Sequence, residues 1–471
     1  MKKNSVLFVA CLLAGAVSAA TINVSSVAEL ERAIAKAVPG DHIVMAYGAY
    51  TPERTITITN KGTFRAPITI AAQAVGGTEI KGGASFAVVG PAVYVIIDGF
   101  KFTGSAPMTI GAGATHCRVT RNTFETAPEG LEPSVEVAGD DNEIDCNNFE
   151  NIHPGGQMLS IQGPLADGMA KRTWVHHNYF HQSVAAGTNS CALQVGHSAR
   201  SLSPGFASVE FNLFVQTPGQ SQAAICNESS ENTYRFNTFG EGAGAMLLRH
   251  GDNCAVYGNF FVGSEGVLVY GKDHKIYDNY FEDCYPAIRV GNGNAMIPPG
   301  DLARLDCPNN VQITFNTLVN NSTNLVMASR AGGLGATNVV FANNIVQGGG
   351  KAVSINGPMA NAKWQGNIIW NGDAGAGDMP APGYVTVDPQ LKREGAVQYH
   401  IQSTSPAVGK GVGAFTYVTI DIDRQSRSGK RDVGADEYST TKGQGANHVL
   451  TPFEVGPDAP DSARNLGKAR K

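Results

Sequence analysis

The polar residue that recurs most regularly in this chain is an asparagine placed two positions before a hydrophobe. The phrase is Asn122-Thr-Phe124, Asn147-Asn-Phe149, Asn178-Tyr-Phe180, Asn212-Leu-Phe214, Asn237-Thr-Phe239, Asn259-Phe-Phe261 and Asn279-Tyr-Phe281. It continues in aliphatic form at Asn316-Thr-Leu318, Asn343-Asn-Ile345 and Asn367-Ile-Ile369. Successive asparagines lie 25, 31, 34, 25, 22, 20, 37, 27 and 24 residues apart. A fixed phrase with such a period marks a solenoid. Each period holds short β-prone runs, such as Cys117-Arg-Val-Thr120 and Lys275-Ile-Tyr277, with turn residues between them. The pattern predicts an all-β fold, a single-stranded right-handed parallel β-helix. Asparagine tolerates left-handed turns, and its amide can bond the same amide one coil away. The asparagines are therefore read as a structural ladder, with the hydrophobe two residues later facing the core. The ladder specifies a fold and no chemistry.

Ahead of the ladder, Val27 to Ala37 carries apolar residues at helical spacing and stops at Pro39-Gly40-Asp41. A helix here would cap the first coil, where a solenoid otherwise exposes strand edges. Strand-like runs follow at 42–46, 55–59, 67–71 and 93–100. After about Asn371 the pattern weakens into a Gly/Ala/Pro-rich stretch at 372–383, read as the start of irregular C-terminal coils and a lid on the same domain. The domain is expected to span 21–440, and 441–471 to form a flexible tail.

Charged residues make up 16% of the chain, below the usual ~25%, and glycine is frequent at 56 of 471. Both suit stacked coils with many tight turns. The first 20 residues read as a secretory signal peptide: Lys2 and Lys3, an apolar run from Val6 to Val17, then Ser18-Ala19-Ala20. A lipoprotein reading at Cys11 is the lesser alternative. No later run is apolar enough to suggest a membrane span, so the protein is expected to be periplasmic or secreted. Removing Lys2 and Lys3 takes the formal charge from −5 to −7, which argues against a nucleic-acid partner. Seven cysteines remain, with no CxxC, which disfavours zinc and leaves one disulfide open. The pattern specifies no oligomeric state.

Equal offsets from the ladder mark equal faces of the coils. Counting on about 10–15 residues reaches Asn189, then Gln222 and Asn227 with Gln220 and Glu228 just outside, then Arg249 and His250, Lys272, Arg289 and Arg330. Four cations from four coils would then line one face, a groove suited to a polymeric anion.

The stretch ENTYRFNTF…MLLRHGDNCAVYGNFFVG…DNYFE, from Glu231 to Glu282, resembles polysaccharide lyase family 6, which contains chondroitinase B and many alginate lyases. The similarity extends more weakly from Pro39–Thr51 and Ile96–Phe102 to Asp432–Tyr438, and Arg249-His-Gly-Asp252 is its most specific piece. It implies cleavage of an anionic uronate polysaccharide by β-elimination, with the C5 proton removed and the C4 oxygen leaving. In the family a calcium ion held by an Asn and a Glu-x-Glu pair neutralises the carboxylate, a Lys is the base, and an Arg is the acid or a proton shuttle. Arg249 matches that Arg and Asn189 the calcium Asn. The Glu-x-Glu pair falls on Gln220-Ser-Gln222, two amides where calcium needs anionic oxygen, so no cofactor is expected. Gln220, Gln222 and Asn189 become expected substrate contacts beside Lys272, Arg289 and Arg330. The Lys position falls on Asn227 or Glu228, depending on the side from which the match is counted. Asn227 cannot act as a base, which leaves Glu228, His250 or Lys272.

The expected activity is an alginate lyase. The alternatives are dermatan sulfate as substrate, a non-catalytic uronate-binding solenoid, and a glycoside hydrolase with acids such as Asp273, Asp278 and Glu282 in one cleft.

Overall fold

A computed structural model describes residues 19–125, 132–150, 156–164, 168–181, 191–217, 223–295, 304–394, 398–440 and 447–464. Its strands are mostly three residues long, and nearly all pair in parallel with the strand one coil away, forming two sheets of 14 strands and one of 12 among the described residues. The protein is an all-β solenoid, a parallel β-helix.

Each coil turns at the asparagine phrase. A strand of the first sheet ends, one residue takes a left-handed conformation, the asparagine follows, and a strand of the second sheet begins. The left-handed residue is Arg121, Cys146, His177, Phe211, Phe236, Gly258, Asp278, Phe315, Asn343 or Gly366, with φ between 50° and 66°. Most are not glycine, so each costs backbone energy. The asparagine amide fastens the turn. Asn237 donates from Nδ2 to Arg235 O at 3.1 Å, two residues back, and to Val209 O one coil down at 2.9 Å. Its Oδ1 accepts from the backbone and side-chain nitrogens of Asn212, both at 3.0 Å. The same pattern repeats from Asn122 to Asn367. Replacing Asn237 by Ala strands the buried Asn212 N–H and Val209 C=O, at about 1–3 kcal/mol each. Chemical denaturation should show a loss of about 3 kcal/mol; an unchanged midpoint would contradict the ladder's role.

One ladder member differs from the expectation. The ninth phrase places the rung at Asn343, but the amide that accepts from Asn316 N, at 2.9 Å, is that of Asn344. Asn343 is the left-handed residue before it. Two consecutive asparagines make both registers readable, and the pairing of Thr317 with Ile345 selects the second.

Two positions after each rung, Phe124, Phe149, Phe180, Phe214, Phe239, Phe261 and Phe281 point inward in one file. Their rings stack nearly parallel, with centroids 4.5 to 5.1 Å apart. Stacking distance and parallel-strand spacing coincide, so one ring per coil gives a continuous column.

The expected helix spans Val27–Lys36. The Ser26 side chain accepts from Glu29 N, and Leu30, Ala33 and Ile34 close the first coil's core. At the other end, the hairpin Leu391–Glu394/Gln398–Ile401 leads into a segment that runs back along the left-handed corners. Val412 exchanges two hydrogen bonds with Asn343, and Phe415 packs edge-on against Phe315. Arg427 reaches Asp278, and Arg424 lies over Phe211 and Phe236. Asn447 donates to Gly258 O, Gly456 N to His177 O, and Ala459 and Ala463 cover Cys146. The flexible tail expected at 441–471 is therefore corrected for 447–464, which form a packed strap. The corners offer carbonyls and aromatic faces that composition alone does not display.

The seven described cysteines are free and buried. No helix among the described residues is long and apolar enough to cross a membrane. The signal-peptide reading falls on 1–20, of which only residues 19 and 20 are described.

Candidate active site

The 12-stranded sheet places Cys191–Gly196, Ala223–Glu228, Ala245–His250, Val267–Val269, Ile288–Val290 and Leu325–Met327 side by side in that order. Leu193, Ile225, Met246, Val267, Ile288 and Leu325 share one register and fill the core beneath it. The register breaks at one point that matters. Asn227 pairs with Leu248, but Glu228 pairs with His250. Arg249 is thus the extra residue of a β-bulge, a device that re-aims a side chain out of a sheet. It emerges 36% exposed, with Nε 3.7 Å from Glu228 Oε1.

The rest of the Arg249–Asp252 motif supports that bulge. Gly251 has φ +90°, and a Cβ there would lie 2.2 Å from Ser229 O, so only glycine lets the two coils meet. Asp252 Oδ1 accepts the Lys272 N–H at 2.9 Å, and the Asp252 N–H donates to Ser230 Oγ at 2.9 Å. Burial raises its carboxyl pKa, against the pull of the Lys272 backbone bond and charge. His250 is 3% exposed, and its carbonyl accepts the Asn227 amide at 2.8 Å.

Glu228 is oriented from the preceding coil. Its Oε2 accepts Gln194 Nε2 at 3.2 Å and the Ser198 N–H at 3.1 Å, which leaves Oε1 toward Arg249. Arg289 and Arg330 follow on later coils. Arg289 pairs with Glu265, and Arg330 is exposed. Between Arg249 and Arg289 the chain places Tyr270, whose N–H bonds Leu248 O and which therefore stands directly above Arg249. Arg330 lies 6.0 Å over its ring. Burial pushes the phenol pKa up, while the charges of Arg330, Arg289 and Arg249 favour the phenolate. The Arg330 guanidinium lies over this ring, and Arg289 and Arg249 add to the positive field it feels.

Several sequence expectations change here. Asn227, a candidate at the catalytic position, is fully buried. It donates to Ser229 O and His250 O and accepts from Asn232 and Tyr234, so its amide is consumed by the core. Glu228, the neighbouring candidate, lies against Arg249. His250 and Glu228 are both buried, at 3% and 6% exposed, and Glu228 is the one whose carboxylate lies 3.7 Å from Arg249 Nε. Lys272 turns to Asp306 at 3.3 Å, at the far end of its coil. Asn189, Gln220 and Gln222 lie outside the described residues. Sequence counting missed Tyr270; the signal available was its place one coil above Arg249 in the outward series.

The acids of the hydrolase alternative do not meet in one cleft. Asp278 is buried against Arg427, Glu282 is held by Arg393 and Tyr280, and Asp273 accepts from Asn310. The three amides that the resemblance matches to calcium ligands, Asn189, Gln220 and Gln222, are among the residues not described. Among the described residues two acid–His groups cluster closely, Glu143/Asp145/His176 and His400/Asp423/Asp436, and neither stands on the strands bearing Arg249 and Glu228. The first is already neutralised by Arg118, 2.6 Å from Asp145.

The family model described as Chondroitinase B matches residues 24–346, and the chain belongs to that family, polysaccharide lyase family 6. Among solved structures it is similar to the family 6 alginate lyase AlyGC, at 22% identity and a TM-score of 0.73, covering 92% of this chain and 59% of that one. A point mutant of AlyGC matches at 24% identity and a TM-score of 0.71, covering 82% and 56%. This chain therefore spans less than two thirds of AlyGC. A family 6 alginate lyase in complex with a trisaccharide matches at 18% identity and 0.69, covering 94% and 96%. No curated protein sequence matches.

Proposed function

We propose that this protein is an exported polysaccharide lyase that cleaves a uronate polymer, alginate above others, by β-elimination without calcium. The carrying observation is the pair of Arg249, 36% exposed, and the largely buried Glu228, with Nε 3.7 Å from Oε1, and with Arg289 and Arg330 on later coils. The alginate lyases among its structural relatives support the substrate, and the family supports the reaction.

Each residue then has a task. Arg249 binds the carboxylate of the sugar that loses its proton, and spreads the charge of the enolate-like intermediate. Arg289 and Arg330 take the acidic groups of neighbouring sugars. Glu228 is the base: its Oε2 is fixed by two donors, and Oε1 faces the bound sugar. Gln194 and Ser198 orient it. Its charge would repel the sugar carboxylate, which Arg249 offsets by sitting between them.

The test is ultraviolet absorbance of unsaturated uronate while purified protein meets alginate, poly-mannuronate, poly-guluronate and dermatan sulfate, each with and without chelator. A rise on an alginate polymer that ignores chelator and disappears in Glu228→Gln is expected. Loss in chelator restored by calcium would remove the calcium-free part of the reading. A rise on dermatan sulfate alone would change the substrate. No rise on any polymer, with binding retained, would make the protein a uronate-binding solenoid.

A further inference from the structure

We propose that His400, Asp423 and Asp436 form a binding site for one divalent transition-metal ion, Zn²⁺, which ties the C-terminal hairpin to the strap. The site takes no part in the proposed cleavage. Ile422 and Ala435, the chain neighbours of Asp423 and Asp436, pack on Phe260, Tyr280 and Val319 of the second sheet, whereas Glu228 and Arg249 stand on the 12-stranded sheet.

The three side chains come from three segments. His400 lies on the hairpin strand Gln398–Ile401, Asp423 in the turn where Asp421 accepts the Gln425 N–H, and Asp436 in the return that follows Arg427. One ligand atom from each lies within 4.8 Å of the other two, and His400 Nε2 is 2.9 Å from Asp423 Oδ2. Around a metal with bonds of roughly 2.0–2.4 Å, neighbouring ligand atoms stand roughly 3 Å apart and opposite ones roughly 4–5 Å. The cluster fits that span. Groups outside it hold the carboxylates in place. Gln398 Nε2 donates to Asp423 Oδ1 at 3.1 Å, and the Ile401 N–H donates to Asp436 Oδ2 at 2.8 Å. Asp436 Oδ1 receives no hydrogen bond from any described residue. Outer hydrogen bonds of this kind orient metal ligands.

The charge of the cluster lacks a cation. Asp436 is 5% exposed, and among the described residues no Lys or Arg forms an ion pair with it or with Asp423, whose one ionic partner is His400. Arg427, the buried guanidinium nearby, is taken up by Asp278 and Glu437. Asp421, 1% exposed, adds a further carboxylate close by, and its own oxygens accept the Gln425 and Glu437 N–H groups. Buried charges are paired or coordinate metals. The other acid–His group differs here, because Arg118 pairs with both Glu143 and Asp145. An imidazole beside two carboxylates selects Zn²⁺ over Ca²⁺, which takes oxygen ligands. The His400 and Asp423 side chains are 17% and 12% exposed, which leaves a path for the ion and for the water that completes its shell. A bound ion would join hairpin, turn and return at one point. Arg393 of the same hairpin pairs with Glu282 of the solenoid, so the joint also bears on how the hairpin is fastened.

The test is isothermal titration of chelator-stripped, dialysed protein with Zn²⁺, Mg²⁺ and Ca²⁺, beside thermal unfolding of the same samples. One Zn²⁺ should bind per chain, more tightly than Mg²⁺ or Ca²⁺. At 100 times its Kd, Zn²⁺ should raise the unfolding midpoint by about 3 °C. Asp423→Asn and His400→Gln should each weaken Zn²⁺ binding about 100-fold and lose the thermal shift. Both should unfold cooperatively without metal, near the midpoint of stripped wild type. Glu143→Gln, in the other acid–His group, should bind Zn²⁺ as wild type does. Absence of Zn²⁺ binding, binding that survives both variants, or loss in Glu143→Gln alone would overturn the proposal. Tighter binding of Ca²⁺ than of Zn²⁺ would overturn it too, since His400 would then not be a ligand. None of these outcomes depends on whether the protein cleaves a polymer.

Discussion

Arg249→Ala should leave a folded protein with polymer cleavage reduced about 1,000-fold in kcat. The size follows from what the guanidinium does. A proton beside a carboxylate is weakly acidic, and its removal builds charge on that carboxylate. A fixed cation at the point where charge develops contributes about 10²–10³ in rate through one donor. Arg249 has a further effect, because its loss leaves Glu228 facing the anionic sugar unopposed. Arg249→Lys should recover little of the loss, since a point ammonium cannot hold a carboxylate through two parallel bonds. The fold should survive because the side chain leaves the sheet at a bulge and fills no core space. The check is the initial rate of unsaturated-product formation beside circular dichroism of the same sample. A variant within tenfold of wild type would remove Arg249 from the chemistry.

Arg427→Ala should destabilise the protein by about 3–5 kcal/mol, the cost of breaking a buried ion pair from one side. Arg427 is buried at the junction of strap and solenoid. Its Nη2 lies 2.9 Å from Asp278 Oδ1 and 2.6 Å from Gly434 O, and its Nη1 lies 3.1 Å from Glu437 and 3.0 Å from Asp432 O. Asp278 is 1% exposed, and burial holds its carboxyl pKa well above the usual range, with Arg427 as the main opposing influence. Without Arg427 the carboxyl must stay protonated or remain as a lone buried anion. Its pKa in the fold then lies further above the unfolded value of about 3.9. Stability falls as pH rises from that value toward the folded pKa, because the unfolded chain releases a proton that the fold retains. The variant should therefore unfold more easily at pH 8 than at pH 5, by more than wild type does. Urea unfolding at the two pH values reads both effects. The double variant Asp278→Leu/Arg427→Met should recover part of the loss, since an apolar pair carries no desolvation cost. If Arg427→Ala unfolds at the wild-type midpoint, the strap is not fastened there.

Not every part of this protein is equally visible in its sequence. The coil repeat is local: one asparagine fastens one turn, so the phrase that marks it is contiguous and countable. The helix at Val27–Lys36 is readable for the same reason, through its Ser26 cap and its apolar stripe. Asn343 fails as a rung because two neighbouring asparagines satisfy the same phrase, and only the pairing across coils separates them. Arg249 is marked by its motif, yet the bulge that turns it outward depends on a register shift between two coils. Asn227 and Glu228 both fit on counting, and only the folded chain shows that the Asn227 amide is used up within the core while Glu228 reaches Arg249.

The sequence by itself determined the solenoid, its period, its capped start and the family, because these rest on residues close together in the chain and repeated along it. Only the tertiary structure decided the site and the strap. Glu228, Arg249, Tyr270, Arg289 and Arg330 come from different coils. Their meeting depends on how loops of 20 to 37 residues stack, which no local pattern encodes. Arg427 and Asp278 are still further apart, and the carboxylate that needs the arginine is buried only after the strap has folded back over it.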